Sequence, residues 1–217
     1  MRLPFYVPFF AHIIFDIYQS FLTLLIAALY GKNTPMDWNL PNILTLVRLA
    51  LLPVLVILFF LPFNWAIWTC LILYIFGAFT DFLDGWLARR HNQVSEFGKF
   101  LDPVADKIFV ATVLLLLIAT NRIEGLWTLC VVLILIREFM VSGLREYLAP
   151  KGRKLPVTQA SKWKTAAQML AIAFLILSPI TGYAQFTGLG LLFIATLLTI
   201  YTGWIYLKSG LQSIFNY

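Results

Sequence analysis

The sequence predicts an all-α integral membrane protein, a six-transmembrane-helix bundle preceded by a separate apolar or amphipathic N-terminal segment. Three observations carry this reading. Of the 217 residues, 61% are hydrophobic and 12% charged, and the mean hydropathy is +0.86; no soluble domain of this size needs so much apolar surface. Apolar runs of roughly twenty residues, the length at which a helix crosses the hydrocarbon core, recur along the chain. The short alternating segments of a transmembrane β-barrel do not.

Residues 1–35 stand apart. They are apolar but carry His12, Asp16, Gln19, Ser20 and Thr23. The run is too long and too polar-studded for a plain signal peptide, and it shows no small-residue cleavage site. Lys32 to Pro35 closes it as a linker would, and Met36 opens a stretch that reads as a protein's own start. Two readings fit: a helix lying in the membrane interface, or an upstream extension of the reading frame. The remainder, residues 36–217, is expected to form one membrane domain. Its spans are expected at about 42–61, 65–88, 100–119, 126–148, 161–180 and 186–208, and the connections are short enough for one bundle.

Charge sets the orientation. Arg89, Arg90 and Lys99 lie between spans two and three; Arg145, Lys151, Arg153, Lys154 and Lys162 lie between four and five. The opposite connections carry one basic residue, Arg122. The excess of positive charge places the basic side, and Lys208, in the cytoplasm. The formal charge of +6 is therefore read as contact with anionic membrane lipids, not nucleic acid. Cys70 and Cys130 sit in apolar runs without metal-ligand spacing and read as packing residues.

Four of the six aspartates lie within 26 residues, from Asp81 to Asp106. Asp81 and Asp84 are three apart, Asp102 and Asp106 four apart, so on helices each pair shares one face. Bare carboxylates at the ends of apolar runs are costly, and four together repel one another unless a cation sits among them. Divalent metal, in two ions, answers this: hard cations bind aspartate and pyrophosphate oxygens alike. A solvated helix cap beside Arg89 and Arg90 is the plainer reading of any one aspartate. Lys107 reads as a snorkelling neighbour and His91 as a loop residue.

The full pattern D-x2-D-G-x2-A-R-x8-G-x3-D-x3-D, from Asp81 to Asp106, resembles the signature of the CDP-alcohol phosphatidyltransferases, membrane enzymes of phospholipid synthesis. The resemblance implies a six-helix membrane domain of that type. It implies Asp81, Asp84 and Asp102 as ligands of two Mg²⁺ or Mn²⁺ ions, with Asp106 beside the metals as general base. It also implies a nucleotide and pyrophosphate site at Gly85, Ala88, Arg89 and Gly98. The small residues let a nucleotide approach the helix backbone, and Arg89 can pair with phosphate. Asn42, Thr45 and Arg48 resemble the family's N-x2-T-x2-R opening.

The segments Arg137 to Glu146 and Ser161 to Met169 resemble the members that join CDP-diacylglycerol to glycerol 3-phosphate. That acceptor is a dianion with no apolar part, so its site needs fixed positive charge. Arg48, Arg137, Arg145 and Lys164 are the expected set; Arg137 and Arg145, eight apart, are expected on nearly one face. Glu138 and Glu146 are expected to pair with Arg145 or Lys164. Resemblance further implies a homodimer in the bacterial inner membrane with its active site facing the cytoplasm. Two other readings stay open. One is a sister transferase using phosphatidylglycerol, serine or inositol phosphate. The other is a small ion-binding transporter, against which stand the interfacial position of the carboxylates and the lack of an internal repeat.

Overall fold

The computed structural model describes the backbone of residues 40–91, 96–149 and 158–215, and the side chains of residues 43–80, 101, 103–149, 158–210 and 212. The N-terminal segment expected over 1–35, and Met36, lie outside the described residues. All regular structure within them is helical: α1 (Leu40–Phe59), α2 (Asn64–His91), α3 (Glu96–Ala119), α4 (Trp127–Leu148), α5 (Gln159–Leu177) and α6 (Gly182–Phe215). Each expected span is matched by a helix, displaced by a few residues at the ends. The larger differences, at the start of α3 and the end of α6, arise because the helix runs on past the apolar stretch into polar sequence, where backbone hydrogen bonding does not depend on lipid. Trp127–Leu148 and Gly182–Gly210 are long and apolar enough to cross a membrane; Ile43–Phe59 and Asn64–Thr80 are shorter apolar helices.

The chain divides into two units, Met1–Phe109 and Val110–Tyr217. In the first, α1 packs on α2. Leu49, Leu52, Leu55, Val56 and Phe59 bury one stripe of α1, while Ala66, Ile67, Cys70 and Tyr74 do the same on α2. Pro53 lies inside α1 without ending it; a proline removes one ladder bond, and helices in apolar surroundings tolerate this where neighbours compensate.

In the second unit, α6 packs along both α4 and α5. The buried residues of α5 are Lys164, Gln168, Ala171, Ile172, Leu175 and Ile176, a single stripe at three- and four-residue steps. Close approach is possible where Gly188 faces Leu175 and Gly210 faces Leu144, since a Cβ at either glycine would collide. The α3–α4 connection is closed by hydrogen bonds. Asn121 takes the left-handed conformation (φ 55°), its N–H donates to Ile118 O at 3.0 Å, and the Arg122 N–H donates to Leu117 O at 2.9 Å. This is the Schellman ending of a helix, in which Asn tolerates positive φ.

Arg122, the basic residue on the charge-poor side, is turned inward. Its Nη1 donates to Ile176 O (2.8 Å), one of the last carbonyls of α5, and its own carbonyl accepts from Gln185 Nε2 (2.9 Å). It satisfies Ile176 O beside the bonds that Ser178, Ile180 and Thr181 give to Leu175 O and Leu177 O, and ties the connection to α5 and α6.

The outward surface is apolar. Ile57, Trp68, Ile72, Ile75 and Phe79 are exposed in the first unit, and Leu129, Ile136, Phe139, Leu197 and Ile200 in the second. Aromatic residues gather near helix ends. Phe63 and Trp65 open α2, Trp127 opens α4, and Tyr183 and Phe186 open α6; Tyr147, Trp163 and Trp204 lie toward the opposite ends of theirs.

Candidate active site

The aspartate motif occupies α2, α3 and the link between them. That link spans residues 92–95 only, so α3 turns back beside α2. The two meet at Gly77: the Phe109 ring fills the space a side chain there would take. The same ring stacks on Tyr74 one turn earlier, centroids 6.0 Å apart and planes within 9°. From Gly77 to the end of α2 is about 21 Å, and from the start of α3 to Phe109 about 20 Å, so the two legs of the hairpin match. Counted from the Gly77 contact toward the link, Asp81 lies about 6 Å and Asp84 about 10 Å along α2, while Asp106 lies about 4.5 Å and Asp102 about 10 Å along α3. Counted by helical rise alone, Asp84 pairs in height with Asp102 and Asp81 with Asp106.

The sequence reading placed Asp81 and Asp84 at a helix end. Instead α2 continues to His91, almost two turns beyond Asp84, and His91 is helical rather than part of a loop. The backbone of Asp81 and Asp84 is therefore inside α2 and not at its end. Gly85 and Ala88 continue the row of Asp81 and Asp84 along α2. Gly98 stands one turn before Asp102 on α3. These residues and Arg89 are placed by backbone alone; their side chains, and those of Asn42, Asp81, Asp84 and Asp102, lie outside the described residues.

Asp106 is half-buried. Lys107 Nζ donates to its Oδ2 at 2.7 Å. A carboxylate has about four acceptor positions, so this bond leaves room for a substrate proton. Thr45 and Arg48, one turn apart on α1, are both buried, Arg48 with 2% of its surface exposed, and neither is free of polar partners. A guanidinium at that depth in an apolar helix is held only where it is paired. No group of three or more metal-ligating side chains occurs among the described residues. The donor chemistry of the hairpin, carboxylate oxygen from two level pairs, nevertheless fits a hard divalent ion.

The second unit carries a buried charged cluster. Glu138 on α4 accepts with Oε1 from Arg137 Nη1 (3.0 Å) and from Lys164 Nζ on α5. Lys164 is 4% exposed. Arg137 Nη2 donates to Thr202 Oγ1 on α6 (3.2 Å), and its Cζ stands 5.2 Å from the centre of the Tyr206 ring. Two cations, Arg137 and Lys164, share one carboxylate oxygen of Glu138. Arg137 Nε, Gln168 Oε1 and Thr199 Oγ1 are buried and take no hydrogen bond among the described residues. The arrangement is suited to an anion with several oxygens.

Arg145 is not brought into this cluster. It is exposed, in the last turn of α4. Eight residues advance a helix by about 80° beyond two full turns, enough to carry Arg145 off the face of Arg137. Glu138 pairs with Lys164 as expected, and also with Arg137. Sequence reasoning missed Thr202, Gly203 and Tyr206. Their signal was available: polar and small side chains at three- and four-residue steps in an otherwise apolar span.

Residues 38–205 match the model of the CDP-alcohol phosphatidyltransferase family. Three relatives are each named CDP-diacylglycerol–glycerol-3-phosphate 3-phosphatidyltransferase. The one from Cereibacter sphaeroides is 40% identical over 215 residues, covering 81% of this chain and 97% of the relative. That from Salmonella choleraesuis is 41% identical over 178 residues, with 81% and 96% covered. That from Rickettsia prowazekii is 42% identical over 177 residues, with 80% and 96% covered.

Proposed function

The chain belongs to the CDP-alcohol phosphatidyltransferase family, and from that premise we propose that it transfers the phosphatidyl group of CDP-diacylglycerol to glycerol 3-phosphate, yielding phosphatidylglycerophosphate and CMP. The observation that supports the choice of acceptor is the pair of cations Arg137 and Lys164 brought together on Glu138 from two helices. It lies in the two segments that resemble the glycerol-3-phosphate-using members. The names of the relatives support the same acceptor.

In this reading a hydroxyl oxygen of glycerol 3-phosphate attacks the phosphorus that carries the diacylglycerol. The bond from that phosphorus to the CMP oxygen breaks, and CMP departs with the electron pair. Asp106 receives the hydroxyl proton, and the bond from Lys107 Nζ to its Oδ2 orients the carboxylate beforehand. Asp81, Asp84 and Asp102 hold Mg²⁺ or Mn²⁺, with Asp106 alongside; when bound, two such ions neutralise the pyrophosphate and the charge developing on CMP. Gly85, Ala88 and Gly98 let the nucleotide approach the backbone, Arg89 pairs with phosphate, and Asn42 and Thr45 complete the nucleotide side. Arg137 and Lys164 bind the acceptor's phosphate.

The membrane domain begins near residue 36 and crosses the bilayer six times, with the motif and the basic connections on the cytoplasmic side. Exposed aromatics near the ends of α2, α4, α5 and α6 support this, since Trp and Tyr favour the two interfaces, as does the inward turn of Arg122 on the charge-poor side. A homodimer in a bacterial inner membrane is carried by the resemblance. The test is CMP release by purified protein from CDP-diacylglycerol with glycerol 3-phosphate, with and without Mg²⁺. The reading requires release only when acceptor and metal are both present.

A further inference from the structure

Arg137 stands on α4, but what fixes its guanidinium comes from α6. The Arg137 stem lies against Gly203, where a Cβ would come within 2.9 Å of its Cγ. Thr202 donates its hydroxyl proton to Leu198 O (2.7 Å) and so presents a lone pair to Arg137 Nη2. Tyr206, almost wholly buried, offers its ring face to the guanidinium at 5.2 Å. Its phenolic oxygen accepts from the backbone N–H of Thr158 at 3.4 Å. Thr158 is the N-cap of α5, its hydroxyl accepting from Ser161 N, and Lys164 follows six residues later. One side chain therefore meets Arg137 with its face and the start of the Lys164 helix with its tip.

We infer that Tyr206 is a positioning residue for acceptor binding, setting the separation of Arg137 and Lys164 so that both reach the oxygens of one phosphate. The inference rests on the acceptor reading above. A plain packing role would be served by a large aliphatic side chain, which would offer neither a π-face to the cation nor an acceptor at the α5 cap. Flexible Arg and Lys stems lose rotamer freedom on binding, and a site that fixes them beforehand reduces that cost.

The experiment measures KM for glycerol 3-phosphate and for CDP-diacylglycerol in the purified full-length enzyme carrying Tyr206→Leu, Tyr206→Phe, Thr202→Val, Arg137→Ala and the double variant Arg137→Ala/Tyr206→Leu. Tyr206→Leu is expected to raise KM for glycerol 3-phosphate about tenfold, with that for CDP-diacylglycerol held within about twofold. Tyr206→Phe keeps the ring and is expected within about threefold of the parent. In the Arg137→Ala background, Tyr206→Leu is expected to add less than about twofold, because the group it positions is gone. A tenfold penalty that persists in that background overturns the inference alone. An unchanged KM for glycerol 3-phosphate in Arg137→Ala overturns the acceptor reading and the inference with it. If Tyr206→Leu does not fold, Thr202→Val carries the same cycle: it loses one bond to a charged group, about tenfold, and that penalty must also vanish without Arg137.

Discussion

Lys164→Met separates the two roles that a buried charge can have. Lys164 and Glu138 form a buried pair across α4 and α5, their side chains 5% and 11% exposed. Removing the lysine leaves Glu138 desolvated, with Arg137 at 3.0 Å as its remaining described cation. Breaking a buried pair from one side costs about 3–5 kcal/mol, and the retained arginine puts this case near 3. For a chain of this length each kcal/mol lowers Tm by about 2–4 °C, so a fall of about 6–12 °C is expected. If Lys164 also contacts the acceptor, loss of a charge-assisted bond to a dianion raises KM for glycerol 3-phosphate about tenfold to a hundredfold. The double variant Glu138→Gln/Lys164→Met removes both charges and relieves the desolvated carboxylate. Its Tm should recover at least half of the loss while KM for glycerol 3-phosphate stays high. Thermal unfolding in detergent micelles and steady-state kinetics with both substrates read the two quantities. Recovery of KM together with Tm would refute the reasoning, because Lys164 would then serve the helix pair and not the acceptor.

Three further outcomes follow from the same geometry. Asp81→Asn, Asp84→Asn and Asp102→Asn should each nearly abolish turnover in protein that still folds, and EDTA should silence the parent enzyme until Mg²⁺ or Mn²⁺ is restored; near-normal rates at saturating Mg²⁺ would remove that residue from the ligand set. Asp106→Asn cannot take the proton and should lower kcat by about 10²–10⁴ with KM for CDP-diacylglycerol kept; a collapse of nucleotide-lipid affinity with kcat preserved would make it a metal ligand only. Arg122→Ala removes a charged donor from Ile176 O and should cost about 1.5–3 kcal/mol, a Tm lower by roughly 3–12 °C, with both KM values unmoved; altered kinetics would mean that this connection reaches the site.

The helices were legible because apolar runs recur along the chain and are punctuated by polar turns. Their ends were less so, since Glu96 to Phe100 and Ser209 to Phe215 continue as helix outside the apolar stretch. The aspartate motif was legible through spacing alone, and three- and four-residue steps survive intact on α2 and α3. What spacing could not supply was the register of α2 against α3. That depends on Gly77 admitting the Phe109 ring, a tertiary contact across 32 residues. Arg145 shows the limit of counting: a step of eight looks like two turns but rotates the side chain off the shared face. Thr202, Gly203 and Tyr206 were polar or small residues in an apolar span, a visible anomaly, yet their partner on α4 is set by how α6 packs. Glu138 had several cations within sequence reach; Arg137 is its chain neighbour, and Lys164 meets it where α4 and α5 both pack on α6.

The most direct measurement offers purified enzyme CDP-diacylglycerol, Mg²⁺ and an equimolar mixture of glycerol 3-phosphate, phosphatidylglycerol, serine and inositol phosphate, and identifies the lipid formed by mass spectrometry. The account predicts phosphatidylglycerophosphate as the dominant product, with one CMP released per lipid made. Cardiolipin, phosphatidylserine or phosphatidylinositol phosphate as the main product, or no lipid at all, would contradict it.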